Sequence, residues 1–181
     1  MNGPDGKPFK TRDGGLMSLR ELISVVQNET RKVIKDNIQE EDKDALALKL
    51  AIAAIKYADL LPNRTSDYIF DPIKFTYLLY STVRMKSLLE KAGSVSFNYH
   101  HITSEFERNI ILNLINLRST MEKSWTSRSL NEICEYLYRL TSSFNAFYSN
   151  QEILSEQNKE SKESYLALTK LVYDTNKYLL N

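Results

Sequence analysis

An all-α bundle of about six helices is the fold class this sequence predicts. Three observations carry the prediction. Only 5 glycines and 4 prolines occur in 181 residues, so few positions break a helix. Ser-x-x-Glu capping boxes open apolar runs at Ser18, Ser104 and Ser129. Apolar residues return every three or four positions, and no segment alternates as a half-buried strand would.

Residues 1–15 hold most of the glycines together with Pro4 and Pro8, and read as a loop; residues 16–181 form the helical part. Ser18-Leu-Arg-Glu21 opens a first helix, with Leu19, Leu22, Ile23, Val26, Val33 and Ile34 on its apolar face and an end near Asn37. The acidic run Glu40-Glu-Asp-Lys-Asp44 suits the positive end of a second helix, over about 44–61. That helix is Ala-rich and apolar on most sides, so it is expected to be the most buried, and Pro62-Asn63 stops it. Residues 63–76 read as a connection, followed by a third helix over 77–92 with Gly93 as its terminator. Ser104-Glu-Phe-Glu107 leads into Phe106, Ile110, Leu114, Leu117 and Met121. Ser129-Leu-Asn-Glu132 leads into Ile133, Leu137, Leu140, Phe144 and Phe147. The polar stretch 151–163 reads as a loop before a last amphipathic helix on Leu168, Leu171, Val172 and Leu179.

A formal net charge of +1 makes the whole molecule a weak attractor of polyanions, so any nucleic-acid affinity has to come from local placement of Lys and Arg. Cys134 is the single cysteine, which excludes an internal disulfide, and it falls on an apolar helical stripe. With only His100 and His101 besides, no zinc-ligand spacing can be assembled, and no metal site is expected. No carboxylate stands at helical spacing from His100, and both histidines read as structural. Trp125 reads as an anchor on the core. No apolar run approaches the ~20 residues of a membrane span, and no signal-peptide core opens the chain, so a cytoplasmic setting is expected.

The segment with chemical content is Tyr77-Leu-Leu-Tyr-Ser-Thr-Val-Arg84. At about 100° per residue, Tyr77, Tyr80 and Arg84 share one helix face, while Leu78, Thr82, Met85 and Leu89 share an adjacent one. The helix can pack through the second face and present two phenols and a guanidinium on the first. Aromatic rings beside a fixed cation suit unpaired bases and their phosphates.

Four segments together resemble the arginyl-tRNA synthetase family, in that family's order and over most of the chain. They are Asp5-Gly-Lys-Pro-Phe-Lys-Thr-Arg-Asp-Gly-Gly15, which is similar to its variant of the class I Lys-Met-Ser-Lys-Ser loop; Ile55-Lys-Tyr-Ala-Asp-Leu60 with Asp67-Tyr-Ile-Phe-Asp71; the Tyr77–Arg84 segment; and Leu140-Thr-Ser-Ser-Phe-Asn-Ala-Phe-Tyr148. The resemblance implies a signature-loop remnant of a catalytic domain in 1–15 and a helical anticodon-binding domain in 16–181. It implies that Lys7, Lys10, Thr11 and Arg12 stabilise charge as L-arginine attacks the α-phosphate of ATP, with Lys10 the safer match because Pro8 and Phe9 replace Met-Ser. It also implies that Tyr77, Tyr80, Arg84, Asn145 and Tyr148 contact RNA, with Phe144 and Phe147 in the core and Tyr80 placed either outside or inside.

Two departures stand out. A Gly-Thr-Gly-Pro-type insertion before Tyr77 is missing, and the chain stops at Leu179-Leu-Asn181, before the family's terminal Leu-Gly-Ile and methionine. The His-Ile-Gly-His-type nucleotide-binding half is absent too. The implied identity is a C-terminal fragment of an arginine–tRNA ligase, a monomer whose partner is the anticodon stem-loop of arginine tRNA. ATP with Mg²⁺ belongs to the parent enzyme and is not expected bound to the fragment, which alone should neither activate arginine nor charge tRNA. The rival expectation is a helical protein-interaction module that keeps the scaffold without reading RNA.

Overall fold

The computed structural model describes residues 18–34, 39–63, 73–93, 96 and 98–180. Among these the helices are α1 (Leu19–Val33), α2 (Glu40–Leu60), α3 (Ile73–Ala92), α4 (Glu105–Ile115), α5 (Leu117–Ser127), α6 (Asn131–Asn150) and α7 (Lys159–Leu180), with no strand among them. The all-α expectation is met. The helix expected from Ser104 onward is divided at Asn116, a short polar residue that accepts from Thr120 Oγ1 through its carbonyl. The chain separates into two compact units, Met1–Thr76 and Tyr77–Asn181.

In the first unit α1 and α2 pack as a helical hairpin. The expected capping box is present: Glu21 N donates to Ser18 Oγ, and Ser18 N donates to the Glu21 carboxylate. This contact holds the Glu21 carboxyl below its ordinary value. Gln27 Nε2 donates to the Asp44 carbonyl at 3.3 Å, and Arg31 pairs with the Asp44 carboxylate. Val26, Ala47, Ala51, Ala54, Tyr57 and Ala58 are buried. The expectation that α2 is the most buried helix fails, because Leu48, Ile52 and Leu60 are exposed. Its apolar residues are spread around the axis, and one face of small side chains is enough for close packing.

In the second unit the core is built from Met85 and Leu88 of α3, Ile110 of α4, Tyr136, Leu140, Phe144 and Phe147 of α6, Ile153, and Tyr165, Leu166, Leu168 and Val172 of α7. The helix carrying the most buried residues is α7, in which Glu163 to Thr169 are buried without interruption. It starts inside the stretch expected to be loop, at Lys159, and Leu171, expected on its apolar face, is exposed. Ile153 plugs the core from the connection before it. Helix α3 likewise starts at Ile73, four residues ahead of the expected Tyr77, and ends at Gly93 with φ +67°, a left-handed cap that favours glycine.

Of the two remaining capping boxes, one forms. Glu107 N donates to Ser104 Oγ at 3.4 Å, and the fully buried Glu107 carboxylate accepts from the backbone amides of Thr103 and Ser104 and from the Thr103 hydroxyl. Replacing Ser104 by alanine is expected to lower stability by about 1 kcal/mol, read from a urea midpoint. The third box does not form. Ser129 N donates to the Ser124 carbonyl at 3.2 Å, closing the end of α5, so Ser129 is committed to the helix behind it. The N-cap of α6 is Leu130, with no side-chain bond. The left-handed residue of that closure is Arg128, at φ 54°, where glycine or asparagine is usual. Its guanidinium lies 4.2 Å over the Trp125 ring, and Trp125, expected as a core anchor, is 71 % exposed. The turn that ends α5 draws Arg128 over the indole on the outside of the bundle.

Cys134 and Tyr136 are both buried in α6. Burial, with Glu135 adding to it, pushes the Cys134 thiol up to about 11, and burial pushes the Tyr136 phenol up to about 12 against a smaller opposing effect of Arg139. Both groups hold their protons more tightly folded than unfolded. Their contribution to stability is complete below pH 9 and is lost as pH rises from the ordinary values of 9 and 10 toward the raised ones. Denaturation midpoints are therefore expected to stay level up to about pH 9 and fall steeply by pH 11. A midpoint unchanged at pH 11 would contradict this.

Candidate nucleic-acid interface

Three of the five residues predicted to contact RNA meet in one stack. Arg84 follows Tyr80 by one helical turn of α3, and its guanidinium carbon lies 4.6 Å from the Tyr80 ring centroid. From α6, Tyr148 covers the same guanidinium at 4.7 Å. The cation is held between two phenol rings, and among the described residues no carboxylate pairs with it. Tyr80 points outward, 61 % exposed, which settles the alternative left open by the sequence. The inner side of Tyr148 rests on the buried Phe144, with centroids 6.1 Å apart, so one edge of the stack is anchored in the core.

Tyr77 joins a second pair instead. Its ring centroid is 5.8 Å from that of Tyr138, with planes tilted by 45°, and both are partly exposed. Tyr138 escaped the sequence reading although a signal was available. It precedes Thr141, Asn145 and Tyr148 in steps of three and four residues, so it lies along the α6 face that Tyr148 marks.

Asn145 takes a different place from the outward one expected. Its Nδ2 donates to Ser81 Oγ at 2.6 Å, and its Oδ1 is buried with no hydrogen-bond partner among the described residues. The pairings Tyr77–Tyr138, Ser81–Asn145 and Arg84–Tyr148 advance in the same direction along both helices, so α3 and α6 run parallel here. Phe144 and Phe147 are fully buried, as expected. Lys7, Lys10, Thr11 and Arg12 lie outside the described residues.

The surface thus offers stacking faces on Tyr80 and Tyr148 and guanidinium donors between them. Such a surface can take an unstacked base and its phosphate, because every base has a π-face and the cation adds direction. No three His, Cys, Asp or Glu residues lie close enough to hold a metal ion, and no helix is long and apolar enough to cross a membrane, in both cases among the described residues.

The family model described as "DALR anticodon binding domain" matches residues 78–181, more than half of the chain and including the whole stack. The chain belongs to the DALR anticodon-binding family. A second model, "tRNA synthetases class I (R), catalytic domain", matches residues 1–72 of this DALR chain. Curated relatives include the arginine–tRNA ligases of Agathobacter rectalis, 39 % identical over 93 % of the chain, and of Alkaliphilus oremlandii, 37 % identical over 94 %. The chain spans 32 % of the length of each. Among solved structures, the arginyl-tRNA synthetase of Plasmodium falciparum matches 91 % of the chain at a TM-score of 0.73 and 25 % identity, again over 32 % of its own length. The DALR chain therefore resembles about one third of these proteins.

Proposed function

We propose that this chain is the anticodon-reading part of an arginine–tRNA ligase and binds the anticodon stem-loop of arginine tRNA. The observation that carries the reading is the Tyr80–Arg84–Tyr148 stack inside the DALR match. An anticodon loop is single-stranded, and its bases can be turned out to stack and to form edge hydrogen bonds. In the parent enzyme, L-arginine and ATP would be joined and the arginine passed to tRNA in the cytoplasm. Lys7, Lys10, Thr11 and Arg12 would supply positive charge to the departing pyrophosphate, a role supported by the class I match over residues 1–72. The chain by itself is proposed to bind RNA without charging it.

A titration of the 181-residue chain with an arginine anticodon stem-loop and a scrambled-anticodon control, at two salt concentrations, tests the proposal. Tighter binding of the cognate loop at both concentrations is expected. Equal binding that falls steeply with salt would show phosphate attraction alone and overturn it. The rival reading is a protein-interaction module that keeps the scaffold without reading RNA. It predicts no stem-loop binding at either salt concentration.

A further inference from the structure

We infer that Ser81 and Asn145 are positioning residues that fix the register of α3 against α6, so that Arg84 and Tyr148 meet; this rests on the proposed RNA-binding role of their stack. Ser81 lies three residues before Arg84, and Asn145 lies three before Tyr148. Their hydrogen bond therefore sits one helical turn below the cation–ring contact. Its direction is fixed. Ser81 is fully buried and its hydroxyl donates to the Tyr77 carbonyl at 2.9 Å, which leaves its oxygen to accept from Asn145 Nδ2 at 2.6 Å.

An amide in this position is not there for packing. Among the described residues Asn145 Oδ1 is buried with no hydrogen-bond partner, a cost in free energy that an apolar residue of similar size would avoid. Apolar contacts between parallel helices tolerate small slides along the axis, whereas a short hydrogen bond to a hydroxyl already tied to its own helix admits one register. One residue further along α3 the same device recurs. Thr82 Oγ1 donates to the Leu78 carbonyl at 2.9 Å and accepts from Asn176 Nδ2 of α7 at 3.4 Å. The same Nδ2 reaches Thr141 Oγ1 of α6 at 3.1 Å, and Asn176 Oδ1 is again buried and unpartnered among the described residues. Two amides with buried carbonyl oxygens thus tie α3, directly or through α7, to α6 beside the stack.

Ser81→Ala, Asn145→Leu and the double variant in the whole chain test this. The guanidinium held between two rings should give Arg84 side-chain NMR signals displaced upfield by ring currents, assigned through their loss in Arg84→Lys. Each single variant is expected to keep its far-UV CD, to lose that displacement, and to weaken stem-loop binding by roughly five- to ten-fold. The double variant should lose no more than the worse single one, since both remove the same tie. Ser81 is buried and cannot touch RNA, so its effect separates positioning from a direct contact by Asn145. Two results would overturn the inference: undisplaced Arg84 signals in wild type, or variants that keep the wild-type displacement whatever their affinity or melting temperature. If the wild-type chain binds no stem-loop, the RNA reading falls and the inference is decided by the Arg84 displacement alone.

Discussion

Arg84→Ala should weaken binding of the cognate anticodon stem-loop by roughly five- to a hundred-and-fifty-fold, the range that about 1–3 kcal/mol of lost stacking and cation contact produces. The variant removes the one element shared by both halves of the platform. Tyr80 loses its partner within α3, and Tyr148 loses the group that couples it to α3. The melting temperature should hardly move, because Arg84 belongs to no buried cluster and pairs with no carboxylate among the described residues. Arg84→Lys is the informative companion. It keeps the charge but loses the planar group that both rings cover, so it should recover salt-dependent affinity without discrimination between cognate and scrambled loops. An Arg84→Ala chain that binds like wild type would remove the stack from the recognition surface.

The largest loss of stability is expected from Phe147→Ala, about 3–5 kcal/mol. Phe147 is fully buried in α6, edge-on to Tyr165 of α7 with centroids 5.4 Å apart and 6.3 Å from Phe144. Truncation would leave a cavity between helices that other rings already fill, and rigid aromatic neighbours collapse into such a space poorly. The loss should appear as a lower urea midpoint with an unchanged slope. A cost below about 1 kcal/mol would mean that the ring does not pack as described.

Most of the helical layout was legible because it is local. Ser18 with Glu21, and Ser104 with Glu107, are signals completed within four residues, and both form. Ser129 fails on the same pattern because the end of α5 claims it first, a competition that a window of four residues cannot display. The late start expected for α7 has a plain cause: polar residues such as Lys159 and Glu160 join a helix once its later turns are packed.

The site divides in the same way. Tyr80 and Arg84 were readable from one helix and Tyr148 from family likeness, and the three converge. Asn145 was readable as a polar residue near the surface, yet its direction depends on Ser81, which lies 64 residues earlier. His100 shows the point again. It lacks a carboxylate at helical spacing, but its Nε2 lies 2.8 Å from Glu163 Oε2, 63 residues away.

The parallel course of α3 and α6 carries a consequence for synthesis of the chain. Parallel neighbours cannot be joined by a tight turn, so α4 and α5 must emerge between them before the two halves of the platform can meet. A nascent chain released before Tyr148 would carry the guanidinium without its second ring. The proposed affinity for the stem-loop would appear only in chains whose distant segments, Arg84 of α3 and Tyr148 of α6, have found each other.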